Sequence, residues 1–315
     1  MDMYLKRIKE VATDLLKEKK VDMIIGFRQG TIPMMNEPFM ATTPKEVQHL
    51  VWNSHCGNNL ATYLVDKKGK IGIVAKGCDS RNIVNHIVES KIQRDQLFII
   101  GVPCKGMVDR RKVALQYDGE IETVEETDDT IIVKGIHGGK NFSKQEVLQD
   151  NCRICQHHNP VIYDELVADS VEEIQDIDPF AGVREIESMS IADKREHFEE
   201  MFSSCIRCYA CRNACPLCYC PTCFVDEARP QWIGKSDDPT DTMTFHFLRA
   251  FHCAGRCTDC GACEQACPQE IKVRSLTGKL SKECFELYGW EAGLTPEKRP
   301  PLDTFRTDDS EDFIK

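Results

Sequence analysis

Eight cysteines occur in two runs that share one spacing and that each end before a proline. The two C-x2-C-x2-C-x3-C-P runs are Cys205, Cys208, Cys211 and Cys215 before Pro216, and Cys257, Cys260, Cys263 and Cys267 before Pro268. In this pattern three closely spaced thiolates bind a 4Fe–4S cube, and the fourth cysteine of each run binds the cube of the other run. The spacing therefore predicts two clusters, one held by Cys205, Cys208, Cys211 and Cys267 and one held by Cys257, Cys260, Cys263 and Cys215.

Zinc is the main alternative to iron–sulfur for these runs. Zinc sites usually pair two C-x2-C units and need neither a third close cysteine nor a proline after the fourth. Two complete copies of the longer pattern therefore favour iron–sulfur. A colourless zinc scaffold is the corresponding alternative for the function of the chain.

Three more cysteines directly follow the first run, at Cys218, Cys220 and Cys223. One interpretation joins them with Cys253 in a further metal site, which would be a fourth cluster. The other interpretation treats them as buried thiols beside the first cluster, because free cysteine packs well as a small apolar residue. Cys284 lies in a helical pattern and is interpreted as a core residue.

The composition excludes several classes of protein. The chain has 315 residues, 18 cysteines and a net charge of −11, and its length suits about two domains. An acidic chain without a Lys/Arg block does not suit the phosphate backbone of nucleic acid. No stretch approaches the about 18 apolar residues of a membrane span, and no secretory signal is recognisable at the start. We therefore expect a cytoplasmic protein whose cysteines are reduced and bind metal.

The first half alternates strand and helix patterns. Apolar runs at 22–27, 71–76 and 97–102 predict buried strands, and SRNIVNHIVESKI predicts a helix over 80–92 with Asp79 or Ser80 as N-cap. Together the last two strands and this helix predict a right-handed βαβ unit with parallel strands. The remaining patterns predict helices at 3–19 and 57–66 and a hairpin at 121–134.

The patterns divide the chain into an α/β domain, a linker, a helical domain and a tail. Residues 1–160 form the predicted α/β domain with a small parallel or mixed sheet, and 161–195 form an acidic linker. Residues 196–290 form a mainly α-helical domain for the two 4Fe–4S clusters, and 291–315 are the tail. This domain is similar to the helical ferredoxin module of heterodisulfide reductase and succinate dehydrogenase subunits. The similarity rests on helical patterns at 191–204, with Ser190 as N-cap, and at 242–255.

The first half has five cysteines of its own: Cys56, Cys78, Cys104, Cys152 and Cys155. Cys78 and Cys104 each follow a predicted strand, and the carboxyl ends of parallel strands line the ligand crevice of an open sheet. Cys152 and Cys155 supply a chelating C-x2-C pair. Five thiols for four ligand positions predict a third 4Fe–4S cluster.

Two motifs resemble the beta subunit of coenzyme F-420-dependent hydrogenase and formate dehydrogenase. One is KGCDSR after a strand, and the other is GVPC followed downstream by C-x2-C. The resemblance covers roughly residues 20–165, with the ferredoxin half adding 200–275. It implies that Cys104, Cys152 and Cys155 are cluster ligands; Cys78 is our choice for the fourth, with Cys56 as competitor. The family also binds FAD. However, the first half is shorter than the family's flavin-binding subunit, and G-x-G-x-x-G and P-loop motifs are absent.

The sequence therefore predicts an iron–sulfur electron-transfer subunit without substrate chemistry of its own. The resemblance implies a relay between a catalytic dehydrogenase or hydrogenase subunit and a heterodisulfide-reductase-like flavoprotein, in a hetero-oligomeric complex of anaerobic metabolism. The alternative is an enzyme, a flavin-dependent oxidoreductase subunit that reduces coenzyme F-420 or NAD(P). Finding no flavin at full iron occupancy would exclude that alternative.

Overall fold

The structure is a computed structural model that describes residues 2–304. Within these residues, the first half contains five helices, a six-stranded mixed sheet and a separate three-stranded antiparallel sheet. The helices are α1 (Asp2–Lys17), α2 (Gly77–Val88), α3 (Arg110–Ala114), α4 (Lys144–Val147) and α5 (Asp150–Arg153). The strands are β1 (Met23–Gln29), β2 (Asn36–Ala41), β3 (Leu50–Val51), β4 (Ile71–Ala75), β5 (Leu97–Gly101), β6 (Thr123–Glu126), β7 (Thr130–Gly135), β8 (Gly138–Ser143) and β9 (Glu165–Leu166).

The main sheet has the order β2-β1-β4-β5-β9, with β3 also paired to β1. The pairs β1–β4, β4–β5 and β5–β9 are parallel, whereas β2 and β3 run antiparallel to β1. Ile73 is in register with Ile25 on one side and Ile99 on the other, and all three are fully buried. The predicted βαβ unit is thus present as β4, α2 and β5, and the predicted small mixed sheet is confirmed.

Two elements of the first half differ from their predictions. The helix predicted at 80–92 begins three residues earlier, because the Asp79 carboxylate accepts the backbone N–H of Lys76 at 3.0 Å and makes Lys76 the N-cap. The helix predicted at 57–66 is only a 3₁₀ turn at Leu60–Tyr63. Its first residue is instead held by a hydrogen bond from the Leu60 backbone N–H to Asp79, at 2.8 Å.

The second half is helical and has little apolar core. Its helices are α6 (Ala181–Ser188), α7 (Ile191–Ser203), α8 (Ala210–Asn213), α9 (Pro239–His252), α10 (Ala262–Gln265) and α11 (Arg274–Tyr288). The Ser190 hydroxyl caps α7 by accepting the Asp193 backbone N–H, as predicted. Helix α9 packs against both α7 and α11, and cysteine side chains make up part of both apolar clusters of this half. Among residues 2–304, no helix is long and apolar enough to cross a membrane.

Of the segment predicted as an acidic linker, 161–195, the first part packs against the first half, whereas α6 packs against α11 of the second half. Strand β9 adds to the sheet beside β5, and the Glu173 carboxylate accepts the backbone N–H groups of His158 and Asn159 at 2.6 and 2.9 Å. These carboxylates are therefore used as hydrogen-bond acceptors, which composition alone did not indicate. Part of the predicted tail, 305–315, lies outside the described residues.

One polar face of α2 holds the two halves together. Asn82 donates to the Thr258 hydroxyl at 2.7 Å, Asn85 to the Arg256 carbonyl at 2.8 Å, and Arg81 to the Ala292 carbonyl at 2.7 Å. These three α2 side chains are buried although they are polar. Each is satisfied by a partner in the second half, so the interface depends on hydrogen bonds as much as on apolar packing.

Candidate metal centres

Equal spacing gives the two cysteine runs the same backbone. In the first run Arg207 and Tyr209 have φ of 49° and 59°, and at the equivalent places in the second run Asp259 and Gly261 have φ of 53° and 73°. A short helix follows each pair, α8 in one run and α10 in the other. These left-handed residues curl each loop around its thiols. Gly261 is required for a second reason, because a Cβ there would lie 2.2 Å from the Asn151 side-chain oxygen.

The first predicted ligand set lines one small cavity. Its thiols come from Cys205, Cys208, Cys211 and Cys267. The Arg207 backbone N–H points at the Cys205 sulfur, at 3.4 Å, and the His246 Nε2 atom lies 3.3 Å from the same sulfur. Backbone N–H donors of this kind favour the thiolate form that a cluster needs.

The second predicted set shares one electrostatic environment. Burial raises the pKa of Cys257 to about 11 and of Cys260 to about 12, and the nearby Cys215 adds to both shifts. Burial also raises the pKa of Cys263, where Cys215 again contributes. Close proximity does not stabilise neutral thiols, whereas a coordinated metal deprotonates them and holds the negatively charged sulfurs together.

The further site predicted from Cys218, Cys220, Cys223 and Cys253 is not assembled as a set. The sulfurs of Cys218 and Cys253 instead lie within 4.8 Å of each other and of Cys215. Cys220 is exposed, and Cys223 lies beside the Arg212 guanidinium.

Four first-half thiols line a cavity of about 970 Å³: those of Cys78, Cys104, Cys152 and Cys155. Cys257, Cys260 and Cys284 of the second half also line this first-half cavity. Cys78 stands at the start of α2 directly after β4, and Cys104 follows β5, so the sheet brings these two together as expected. The Gly106 backbone N–H lies 3.4 Å from the Cys104 sulfur, and the Met107 backbone N–H lies 3.3 Å from the Cys152 sulfur. Burial raises the pKa of Cys155 to about 12.

Cys56, the competitor for the fourth position, does not line this cavity. Its side chain is fully buried, and its sulfur accepts a hydrogen bond from the Asn36 amide at 3.3 Å. Burial raises its pKa to about 11. The structure therefore groups Cys78 with the other three thiols and leaves Cys56 in the apolar core.

Residues 201–271 match the 4Fe-4S dicluster domain family. The chain is an iron–sulfur protein. It is 27% identical to the F420-dependent formate dehydrogenase subunit beta of Methanocaldococcus jannaschii over 350 residues, covering 91% of this chain and 91% of that protein. It is 24% identical to the F420-dependent formate dehydrogenase 1 subunit beta of Methanococcus maripaludis, covering 91% and 90%. The predicted resemblance to these beta subunits is confirmed.

Two further similarities of this iron–sulfur protein are local or weak. Over 132 residues, 41% of the chain, it is 33% identical to the acetyl-CoA decarbonylase/synthase complex subunit alpha 1 of Methanosarcina mazei, of which the match covers 14%. A chain of the F420-reducing [NiFe] hydrogenase complex from Methanosarcina barkeri matches with a TM-score of 0.37 at 18% identity, over 50% of this chain and 59% of that chain.

Buried cations are the site residues that the sequence analysis missed. Lys76 lines the first-half cavity, with its ammonium 2.8 Å from the Asp79 carboxylate and 2.8 Å from the Asn58 carbonyl. Arg249 lies near the cysteines of both runs. One sequence pattern points to Arg249, because Phe245, His246 and Arg249 fall on one face of a helix. The pattern indicates that Arg249 is buried, but it does not show which groups surround its guanidinium.

Proposed function

We propose that this chain is an electron-transfer subunit of a formate dehydrogenase or hydrogenase type complex, with three 4Fe–4S clusters. The relatives named above, which match nearly the whole chain, support the type of complex. The dicluster domain match supports the iron–sulfur chemistry of the second half. The observation that supports the third cluster is that Cys78, Cys104, Cys152 and Cys155 line one cavity.

The thiols fit this cofactor. In this proposal one cluster is held by Cys205, Cys208, Cys211 and Cys267, one by Cys257, Cys260, Cys263 and Cys215, and one by Cys78, Cys104, Cys152 and Cys155. Backbone N–H groups of Arg207, Gly106 and Met107 point at sulfurs of these sets. When bound, such clusters accept and release single electrons at potentials set by hydrogen bonds and solvent exposure.

The order of the three sets supports a linear relay. Cys78 and Cys104 line the same cavity as Cys257 and Cys260, so the first-half set adjoins the second run. The crossover ligands Cys215 and Cys267 then tie the second set to the first set. Cys208 of that first set is exposed. The two ends of the relay are therefore the first-half cavity and the surface around Cys208.

A catalytic dehydrogenase or hydrogenase subunit and a heterodisulfide-reductase-like flavoprotein are the proposed partners. Phe247 and Phe251 on the outer side of α9 are each about half exposed, and their rings lie 4.8 Å apart. Exposed aromatic pairs are enriched at protein interfaces. The reduced state of 18 cysteines keeps a reducing compartment such as the cytoplasm as the proposed location.

A flavin-dependent oxidoreductase is the second candidate. The size of the first-half cavity, about 970 Å³, favours it because an iron–sulfur cube alone needs much less space. Two glycine stretches of the first half, GFRQGT at 26–31 and GGK at 138–140, do not support it. Gly26 lies within β1, and Gly138 begins β8, so neither stands at a helix N-terminus where a pyrophosphate would bind.

An anaerobic reductive titration separates the two candidates. The electron-transfer proposal predicts uptake of about three electrons per chain, one for each cube, and no flavin in the denatured supernatant by chromatography. A stoichiometric flavin with its own two-electron uptake would favour the enzyme. Zinc without acid-labile sulfide would overturn both candidates.

A further inference from the structure

Arg249 is a buried arginine whose charge has no carboxylate partner. It lies in the last turn of α9 and is 4% exposed. One guanidinium N–H donates to the Cys211 carbonyl at 2.9 Å, and the Nε atom has no hydrogen-bond partner among the described residues. Within residues 2–304, no Asp or Glu oxygen lies within 4.0 Å of its guanidinium nitrogens.

The other buried arginines are accounted for by ordinary partners. Arg81 pairs with Glu291 at 2.8 Å, and Arg207 donates to the carbonyls of Gly234 and Ser236 and to the Tyr209 hydroxyl. Arg274, although largely buried, pairs with Asp259. Arg249 therefore differs from Arg81 and Arg274, which pair with carboxylates. Arg207, like Arg249, has only neutral acceptors among the described residues, but it has three of them whereas Arg249 has one. A buried cation with so few partners is strongly unfavourable.

Cysteines of both runs, together with Cys253, lie near Arg249. Burial lowers its pKa, and the thiol groups of Cys263, Cys215, Cys253 and Cys211 raise it by more. Cys211 belongs to one proposed ligand set, whereas Cys215 and Cys263 belong to the other. The guanidinium thus lies between the two sets, where negative charge would be present only with thiolates and metal.

We propose that Arg249 is the shared counter-cation of the two second-half clusters and raises the reduction potentials of both. The inference rests on the proposed function. A cube with four thiolate ligands is anionic, and reduction adds a further negative charge. A fixed positive charge in a low-dielectric interior stabilises the reduced form more than the oxidised form. Arg249 acts here through its field and is a positioning residue.

The test compares Arg249→Gln and Arg249→Lys with the wild-type full chain, prepared anaerobically. Arg195→Gln is the matched control, because Arg195 is 79% exposed and pairs only with Glu199 on its own helix. Iron and acid-labile sulfide are counted first, and the clusters are then titrated potentiometrically with detection by electron paramagnetic resonance. The first-half cluster, with Lys76 as its own buried cation, serves as internal reference.

We expect Arg249→Gln to shift the reduced-to-oxidised ratio of the second-half clusters at least tenfold toward oxidised, which is about 59 mV for a one-electron couple. Arg249→Lys should shift it less, and Arg195→Gln not at all. Loss of iron in Arg249→Gln but not in Arg249→Lys would also support a requirement for charge.

Two results would overturn the inference while leaving the proposed function intact. One is full iron in Arg249→Gln with potentials within twofold of the wild-type ratio. The other is equal loss of iron in the Gln and Lys variants, which would assign Arg249 to packing against Cys211. A wild-type chain without acid-labile sulfide would instead overturn the proposed function itself.

Discussion

The Nε2 atom of His86 lies 2.8 Å from the carbonyl oxygen of Pro216. His86 belongs to α2 of the first half, and Pro216 ends the first cysteine run. Because a carbonyl can only accept, the imidazole donates through Nε2, and its buried Nδ1 atom has no partner among the described residues. The contact joins the two halves directly beside Cys215 and requires a proton on Nε2, while burial disfavours a second proton on Nδ1.

The first prediction is an acid-sensitive interface. Burial lowers the pKa of His86, so below the unfolded value of about 6.5 the unfolded chain binds a proton that the folded chain does not. Stability is therefore complete above about pH 6.5 and falls as the pH drops below that value. His86→Gln, which keeps an N–H donor, should show a smaller loss of melting temperature between pH 7.5 and 5.5. The control variant is His137→Gln, because His137 is exposed, and its loss of melting temperature should equal that of the wild type. An equal loss in the wild type and both variants would contradict the role of His86.

The second prediction concerns the ion pair across the interface. Glu89 and Arg256 pair with an oxygen–nitrogen distance of 2.9 Å, and Arg256 also contacts the Tyr219 hydroxyl at 2.7 Å. Replacing Glu89 with Gln leaves a largely buried guanidinium unpaired and should lower the free energy of unfolding by about 3 kcal/mol. Chemical denaturation measures this. The control Glu18→Gln removes an exposed pair with Lys20 and should change stability by less than about 1 kcal/mol; equal effects would count against the interface.

The third prediction concerns the buried pair of Lys76 and Asp79. Lys76→Met alone leaves the fully buried Asp79 carboxylate uncompensated and should cost about 3–5 kcal/mol. The double variant Lys76→Met with Asp79→Asn should recover part of that loss, because the amide oxygen still accepts the Leu60 N–H. Denaturation of the single and double variants measures the coupling. Additive losses would show that the two side chains do not stabilise each other.

The fourth prediction is that metal removal unfolds the halves unequally. In the described part of the second half, through residue 304, the apolar clusters are two small ones that each include cysteines, whereas the first half has an extended core around the sheet. Metal binding to such sites contributes directly to folding. After removal of iron, hydrogen exchange should accelerate in α9 and α11 while β1, β4 and β5 stay protected. Equal acceleration in both halves, or none, would contradict this dependence.

Features with a local cause could be predicted from the sequence. The two cysteine runs are local patterns, and the buried strands around Ile25, Ile73 and Ile99 followed from apolar runs. The convergence of Cys78 and Cys104 followed from strand ends. The predicted start of α2 is wrong although its cause is local, because Asp79 caps the helix from its third position and makes Lys76 the N-cap.

Features that depend on contacts between distant segments could not be predicted. Arg249 is marked only by lacking a carboxylate partner, which requires knowledge of every segment that packs against α9. The polar face of α2 is buried against partners that lie more than 100 residues away in the chain, which no local pattern indicates. The choice of Cys78 over Cys56 likewise depends on which thiol the folded core encloses.

The most direct measurement of the central claim is iron and acid-labile sulfide per chain, with two matched variants. We predict about twelve iron atoms in the wild-type chain at four per cube, about eight in Cys78→Ser and about twelve in Cys56→Ser. A wild-type chain with about eight iron atoms, or a loss in Cys56→Ser but not in Cys78→Ser, would contradict the third cluster and its ligands.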